Sequence, residues 1–598
     1  MKAFFRLHLL SFLFAALVGL LIWSPTYFAT RSLGGEYQGV PFLYQDNEDT
    51  YLARIHEIID GHSTVSSPML ADYKDSTAPV LPFGEYIYAI MVFAGLPIQF
   101  VVIFSKFFLP AILFLLIYFF VFSLLSDGTE TKDARISALS CGALILLGYD
   151  IVDMGRVLGV FSGSSASVYL SPWSRLVNPV TGAIFLFAYL ISLWKILEGR
   201  NRFFVVAGFL LAGMSGYIFS FGLALIVAFL VVLLCLIQKK YTEALACVGN
   251  VFLGIVLNFS YWYRVLGLSA TGAGLTESLR NGLFFTHEPL LNKVLLITFF
   301  LFVLASFFLV KDKKTILEKK ENLPLVFSFL LLLAGFIVLN QQIVTGKTVW
   351  PQHFVQYTIP FSFISIFVLA HFFLRSRFRS LWICFVTLVS GIAVLFTFCS
   401  IGTYRNVQRD FLDTQRYAPL LRYLNERAQP DCAVLVKEKV ERIARLIPAL
   451  TSCNVYMTSY NFIGIPLERI EKNYLIYLRL NDVQASSIES YLKDIRTEMR
   501  IALFRDWKDM FRHTNNSWLI RISDREAIDA FFEVRAKEIA NKYRDFVKKD
   551  FYTELAKNKI DYLVYDSKNG EMVSYPFLSL VFAENGIQMY TLNAKNLR

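Results

Sequence analysis

The chain has 598 residues, of which 55% are hydrophobic and 16% aromatic, with a mean hydropathy of +0.50. Only 18% are charged, against roughly a quarter in soluble globular chains, so the composition excludes an ordinary soluble protein and predicts an integral membrane one. The net charge of +11 resides in short loops and a mixed-charge C-terminal region; with no basic stripe, nucleic acid is not an expected partner.

In chain order, "MKAFFRLHLLSFLFAALVGLLIWSP" has the basic start and apolar run of a signal peptide. The run is long and no small-x-small cleavage site follows, so a retained first helix is expected. Apolar runs then recur to about residue 400, at about 5–24, 103–125, 135–153, 177–196, 202–219, 220–237, 243–262, 290–310, 323–340, 354–374 and 379–399. Each matches the length that crosses a hydrocarbon core of roughly 30 Å, which predicts about eleven transmembrane helices. Loops rich in Lys and Arg ("KILEGRNR", "QKK", "VKDKKTILEKK", "RSRFR") fall on the side of the N-terminus, which the positive-inside rule makes cytoplasmic. The loop from Pro25 to Gly84 falls opposite, with eight acidic residues against three basic. In the cytoplasmic (plasma) membrane this topology puts the C-terminal region on the exterior or periplasmic side. Gly95 and Pro97 split the stretch 85–102 into pieces too short to cross, which reads as a helix in the outer interface. The expected organisation is a membrane domain over 1–400, with a long first exterior loop over 25–102, followed by an exterior domain over 401–598.

The first exterior loop contains "YQDNEDTYLARIHEIIDGH". Its second half predicts a short amphipathic helix with Leu52, Ile55, Ile58 and Ile59 on one face and Gly61 ending it. Asp46, Glu48 and Asp49 precede or open that helix, and the plain reading is that Asp46 or Asp49 caps it. The chemical reading is that an acid against the outer bilayer surface serves as a base on a hydroxyl while a lipid-borne leaving group is presented from the membrane. A carboxylate in the first exterior loop, followed by Tyr and an amphipathic helix, resembles the GT-C superfamily of membrane glycosyltransferases. That superfamily includes oligosaccharyltransferases, protein mannosyltransferases and the lipid A aminoarabinose transferase. Asp49-Thr50-Tyr51 matches the Asp-x-Tyr spacing of the oligosaccharyltransferase loop. Glu48 with Tyr51 is nearer the Asp-Glu-x-x-Tyr of the aminoarabinose group, although Asn47 replaces its Asp. The resemblance implies a GT-C-like helical fold, a polyprenyl-phosphate-linked sugar donor, and a catalytic acid in this loop, with Asp49 ranked first, Glu48 second and Asp46 third.

Further positions carry two readings each. Glu85 opens a helix whose N-terminal dipole suits it, or it contacts a sugar hydroxyl or a metal near Asp49. Asp150 and Asp153 stand where oligosaccharyltransferases hold a divalent metal such as Mg or Mn, but the spacing here is Asp-x-x-Asp rather than a tight pair. Arg175, among Ser174, Asn178 and Pro179, either anchors a helix end at the headgroups or grips a lipid phosphate through two hydrogen bonds. Glu277, Arg280, His287 and Glu288 read as loop polarity, there being no HExxH. In "LNQQIVTGKTVWPQHFVQY", the amides of Asn340, Gln341, Gln342, Gln352 and Gln356 either pair between helices or, with Lys347 and His353, line a donor site for phosphate or sugar.

The C-terminal region predicts strands at "CAVLVKE", "YLIYLRL", "DYLVYD" and "IQMYTL", a closing hairpin at "LVFAENGIQMYTL", and helical stretches around 527–558, hence an α/β domain. Cys432 and Cys453 form a disulfide in an oxidising compartment or remain two buried thiols. Cys141, Cys235, Cys247, Cys384 and Cys399, in or at the ends of apolar segments, read as packing residues. The expected function is glycosyl transfer from a lipid-linked donor to an exported glycan, lipid or protein at the outer membrane face. The absence of a WWDYG motif argues against protein Asn-glycosylation. The rival readings are a transporter or flippase for a lipid-linked glycan, which predicts ionisable residues buried within spans, and a non-catalytic assembly protein.

Overall fold

In lipid every backbone N–H and C=O must find its partner within the segment, so uninterrupted apolar sequence folds as helix. The computed structural model describes residues 2–592 apart from 45–46, 75, 77, 79, 127–130, 154, 156, 160–169, 270–286, 288, 310–319, 347–348, 376, 438–441, 459–464, 494–517, 520–524, 568–574 and 576. Its first part contains α1 (Lys2–Leu33), α2 (Glu48–Ile59), α3 (Phe83–Phe93), α4 (Ile98–Leu125), α5 (Thr131–Leu147), α6 (Val180–Leu197), α7 (Phe203–Met214), α8 (Ile218–Ile237) and α9 (Tyr241–Leu257). α10 (Phe259–Ser269), α11 (Lys293–Leu309), α12 (Leu323–Leu339), α13 (Pro351–Leu369) and α14 (Arg379–Gly402) complete it.

Among the described residues seven helices are long and apolar enough to cross a membrane, or eight if the bent pair α9 and α10 is one span. This marks the chain as a membrane protein. Every one of the eleven expected runs is helical at its centre. However, α5 and α11 have 17 residues each and α7 has 12, so the count of eleven spans is not established. The run 243–262, expected as one straight helix, is bent by 67° at Asn258. Gly95 and Pro97 do break the stretch 85–102, but its second piece is the start of α4, leaving only α3 as the separate short helix. Phe114, Phe120, Leu186, Phe187, Phe327 and Leu331 fill the centre of the bundle. Leu9, Phe252, Phe300 and Phe398 are each more than half exposed on its flanks, as a lipid-facing surface requires.

After α15 (Tyr404–Gln415) and α16 (Ala418–Arg427) the chain enters the sheet region. This contains β1 (Ala433–Lys437), α17 (Ile443–Leu450), β2 (Asn454–Val455), α18 (Leu467–Leu480), α19 (Arg525–Phe546), α20 (Phe551–Ala556), β3 (Tyr562–Asp566), β4 (Leu578–Glu584) and β5 (Ile587–Leu592). The strands form one mixed sheet in the order β2-β1-β3-β5-β4, parallel across β2-β1-β3 and antiparallel across β3-β5-β4. Asn585 and Gly586, both with positive φ, close the expected hairpin between β4 and β5. "YLIYLRL", expected as a strand, lies inside the helix α18. Its aromatic and aliphatic residues mimic a strand over seven positions. Read over fourteen, the buried Ile470, Tyr474, Tyr477 and Leu478 follow helical spacing.

The first loop is docked on this sheet. Leu70 makes a parallel bridge to Val455, whose N–H donates to Met69 O at 2.8 Å, so the loop extends the edge at β2. Gln415 Oε1 accepts from the N–H groups of Gln38 and Val40, and its amide donates back to Val40 O at 3.0 Å. Arg469 binds Asp72, with Nε at 3.1 Å, and Lys74 Nζ donates to Asn454 Oδ1 at 2.7 Å. His62 Nε2 lies 3.1 Å from Asp431 Oδ1.

Candidate functional site

α2 is built as its sequence suggests. Leu52, Ala53, Ile55 and Ile58 are buried, and the helix ends in a Schellman arrangement: His62 N–H donates to Glu57 O and Gly61 N–H to Ile58 O, with Gly61 at φ 102°. The start differs from expectation. The N-cap residue is Asn47, in the left-handed region and without a side-chain cap, so Asp49 does not cap the helix. Glu48 and Asp49 occupy its first turn, where the helix dipole favours carboxylates.

Neighbouring acids point to different partners. The Glu48 side chain is fully buried and its Oε1 lies 2.7 Å from Lys106 Nζ on α4. The same oxygen accepts the Leu176 N–H at 3.3 Å, and Lys106 also donates to Phe42 O at 3.1 Å. Glu48 therefore ties α2 to the bundle and to the segment that carries Arg175. Asp49 faces the other way: its two oxygens lie 2.6 Å from Nε and Nη2 of Arg445 on α17, and Oδ1 also accepts the Thr50 N–H. Asp46 lies outside the described residues. Glu85, in the first turn of α3 as expected, is buried against Arg54, with Nε and Oε1 at 2.5 Å.

A second cluster gathers residues expected to hold a phosphate. Arg175 is buried; its Nε donates to Asn178 O at 2.5 Å, Nη2 lies 3.5 Å from Tyr51 Oη, and the guanidinium stands 5.4 Å from the Tyr51 ring centre. Arg175 also bears on Tyr217, whose hydroxyl is 2.7 Å from His353 Nδ1. The His353 ring stacks on Phe219 at 4.7 Å and leans on Trp350 at 5.5 Å. Tyr357 donates to Pro179 O at 3.2 Å, and a side chain on Gly182 would meet its hydroxyl at 2.6 Å. The small residue is what admits that tyrosine. Thus Tyr51, Arg175 and His353, from three separate parts of the chain, meet through Tyr217 at the end of the bundle beneath α2. On the same helix as His353, the carboxamide oxygens of Gln352 and Gln356 are buried without a partner among the described residues. Lys347 lies outside those residues.

Asp150 sits in the short 3-10 turn Tyr149–Val152, and Asp153 follows it with Oδ1 accepting the Gly155 N–H at 3.0 Å. Mg or Mn calls for several oxygen ligands, and among the described residues no three of His, Cys, Asp and Glu converge. Asn340, just after α12, exchanges hydrogen bonds with both backbone groups of Leu290 in the non-helical segment before α11. His287 Nδ1 lies 3.0 Å from Ile343 O, while Glu277, Arg280 and Glu288 lie outside the described residues. Cys432 and Cys453 are bonded, beside Asp431 and Asn454 at the loop junction. Also at that junction, burial raises the Glu57 carboxyl and lowers the Lys74 ammonium that it contacts.

The residues missed from sequence are Lys106, Tyr217, Tyr357 and Arg445. Lys106 did leave a signal, being the only charge in the 28 residues of α4. Arg445 left none; it is one basic residue among the 31 of residues 401–598.

Together these features define a polytopic helical membrane protein whose C-terminal sheet clasps its first loop, with a buried arginine, tyrosine and histidine cluster beneath that loop. No protein-family model matches the chain, and neither does any curated protein.

Proposed function

We propose that the protein is a GT-C-type glycosyltransferase that moves a sugar from a polyprenyl-phosphate donor to an exported acceptor at the outer face of the cytoplasmic membrane. The observation that carries this reading is the convergence of Arg175, Tyr51, Tyr217 and His353 under the helix that begins Glu48-Asp49. Arg175, with His353 and Lys347, would bind the donor phosphate, where a buried guanidinium stabilises the charge that develops on departure. The acceptor hydroxyl oxygen attacks the anomeric carbon and its proton passes to the loop carboxylate. The bond from that carbon to the phosphate oxygen breaks, and polyprenyl phosphate leaves with the electron pair.

The test is transfer of sugar in membranes carrying D46A, E48A or D49A. Loss of about a hundredfold or more in at least one is expected of a general base; full activity in all three sinks the proposal. The ion pairing of both described acids favours a second reading, a non-catalytic assembly protein whose C-terminal region binds a partner. That reading expects indifference to the three substitutions and sensitivity to deletion of residues 404–598.

A further inference from the structure

Asp49 and Tyr51 are two positions apart, so their side chains leave α2 roughly 200° apart. Tyr51 meets Arg175 of the bundle and Asp49 meets Arg445 of the sheet region. α2 thus separates a bundle side, where a lipid-borne donor would lie, from a sheet side, where Arg445 is the one charged group on α17. We propose that Arg445 binds the acceptor through an oxyanion on it, a phosphate or a carboxylate, and that the incoming anion takes the guanidinium from Asp49. This rests on the transfer reading above and names its acceptor as an acidic one.

Three observations support it. First, Nε and Nη2 of Arg445 each lie 2.6 Å from an Asp49 oxygen, with Nη2 donating a hydrogen bond, and a guanidinium's planar set of donors suits phosphate and carboxylate equally. Second, the Arg445 and Asp49 side chains keep 25% and 16% of their surface exposed, whereas Lys106 and Glu48 keep 2% and none. An anion in solution can therefore compete for Arg445 but not for Lys106. Third, docking of the first loop does not depend on this pair. Arg469 on Asp72, Lys74 on Asn454, His62 on Asp431, Gln415 on Val40 and the Leu70 bridge remain without it. Arg445 can change partner while the sheet region stays seated. As a consequence Asp49 stays paired until an acidic acceptor arrives, and only then is released to take the hydroxyl proton, which protects a waiting donor from transfer to water.

The test titrates the purified full chain in detergent with glycerol phosphate, glucuronate and, as a neutral control, glucose, following binding by calorimetry. Wild type is expected to bind at least one anion and not glucose; which anion binds tells phosphate from carboxylate. D49N should bind that anion about fivefold more tightly, because the competing carboxylate is gone. R445Q should bind it at least about tenfold more weakly, and D49N/R445Q should match R445Q. Should R445Q fail to fold, the gain in D49N decides alone. Absence of anion binding, unchanged affinity in D49N, or wild-type affinity in R445Q overturns the proposal. Transfer from a polyprenyl-phosphate sugar, assayed on the same preparations, keeps the two ideas apart. If wild type transfers sugar while the anion ignores Arg445, only the acceptor proposal falls. If wild type transfers none, the reaction assigned above falls with the role of Asp49 in it.

Discussion

The Glu48 and Lys106 pair gives the sharpest energetic expectation. K106M removes the ammonium and leaves Glu48, whose side chain has no exposed surface, without its counter-ion. An exposed pair is worth roughly 0–1 kcal/mol, but stranding one member of a buried pair costs about 3–5 kcal/mol. The upper part of that range is expected here, since Lys106 also gives up its bond to Phe42 O at 3.1 Å. E48L should cost a similar amount by stranding the ammonium in α4. The double variant E48L/K106M strands neither ion and should be less harmful than either single variant, so the single costs do not add. R445Q, at the partly exposed Asp49 pair, is the internal comparison and should cost no more than about 1 kcal/mol. Denaturant titration of the full chain in mixed micelles measures all four. K106M within about 1 kcal/mol of wild type, or a double variant as unstable as the sum, would refute the reasoning. Activity adds a second readout: if Glu48 serves only as a tie, sugar transfer returns with stability in E48L/K106M.

Two other expectations concern the junction of the first loop with the sheet. The Cys432–Cys453 bond closes a loop of sequence separation 21, and removing it by reduction or in C432S/C453S should cost about 3 kcal/mol by the loop-entropy relation; an unchanged denaturation midpoint under reductant would argue against it. At Glu57, a carboxyl whose pKa burial raises above 4.5 favours the fold below that value, and its contribution is lost as pH rises through the folded pKa. The stability of wild type relative to E57Q should accordingly fall as pH rises from about 4.5; a gap that moves in wild type's favour with pH contradicts the assignment.

The helical body was legible because hydropathy acts locally, one segment at a time, and the breaks at Gly95, Pro97 and Gly61 are local signals too. Span number was less so, because helix length depends on where neighbours stop it; α7 ends at Met214, where the chain turns at Ser215 and Gly216 to start α8. The site was legible as a list of residues but not as a set of contacts. Glu48, Asp49 and Tyr51 are four consecutive positions with one omitted. Their partners lie at Lys106, Arg445 and Arg175, the last two separated from them by 396 and 124 residues. Spacing places Glu48 and Tyr51 on one face and Asp49 on another, but it cannot say which face meets the bundle. Once Lys106 and Leu176 bind Glu48, the face is set: Tyr51 must follow toward Arg175, and Asp49 must turn toward the sheet. The lone lysine in α4 thus decides which acid of the first turn is sealed inside the protein and which keeps part of its surface open to solvent.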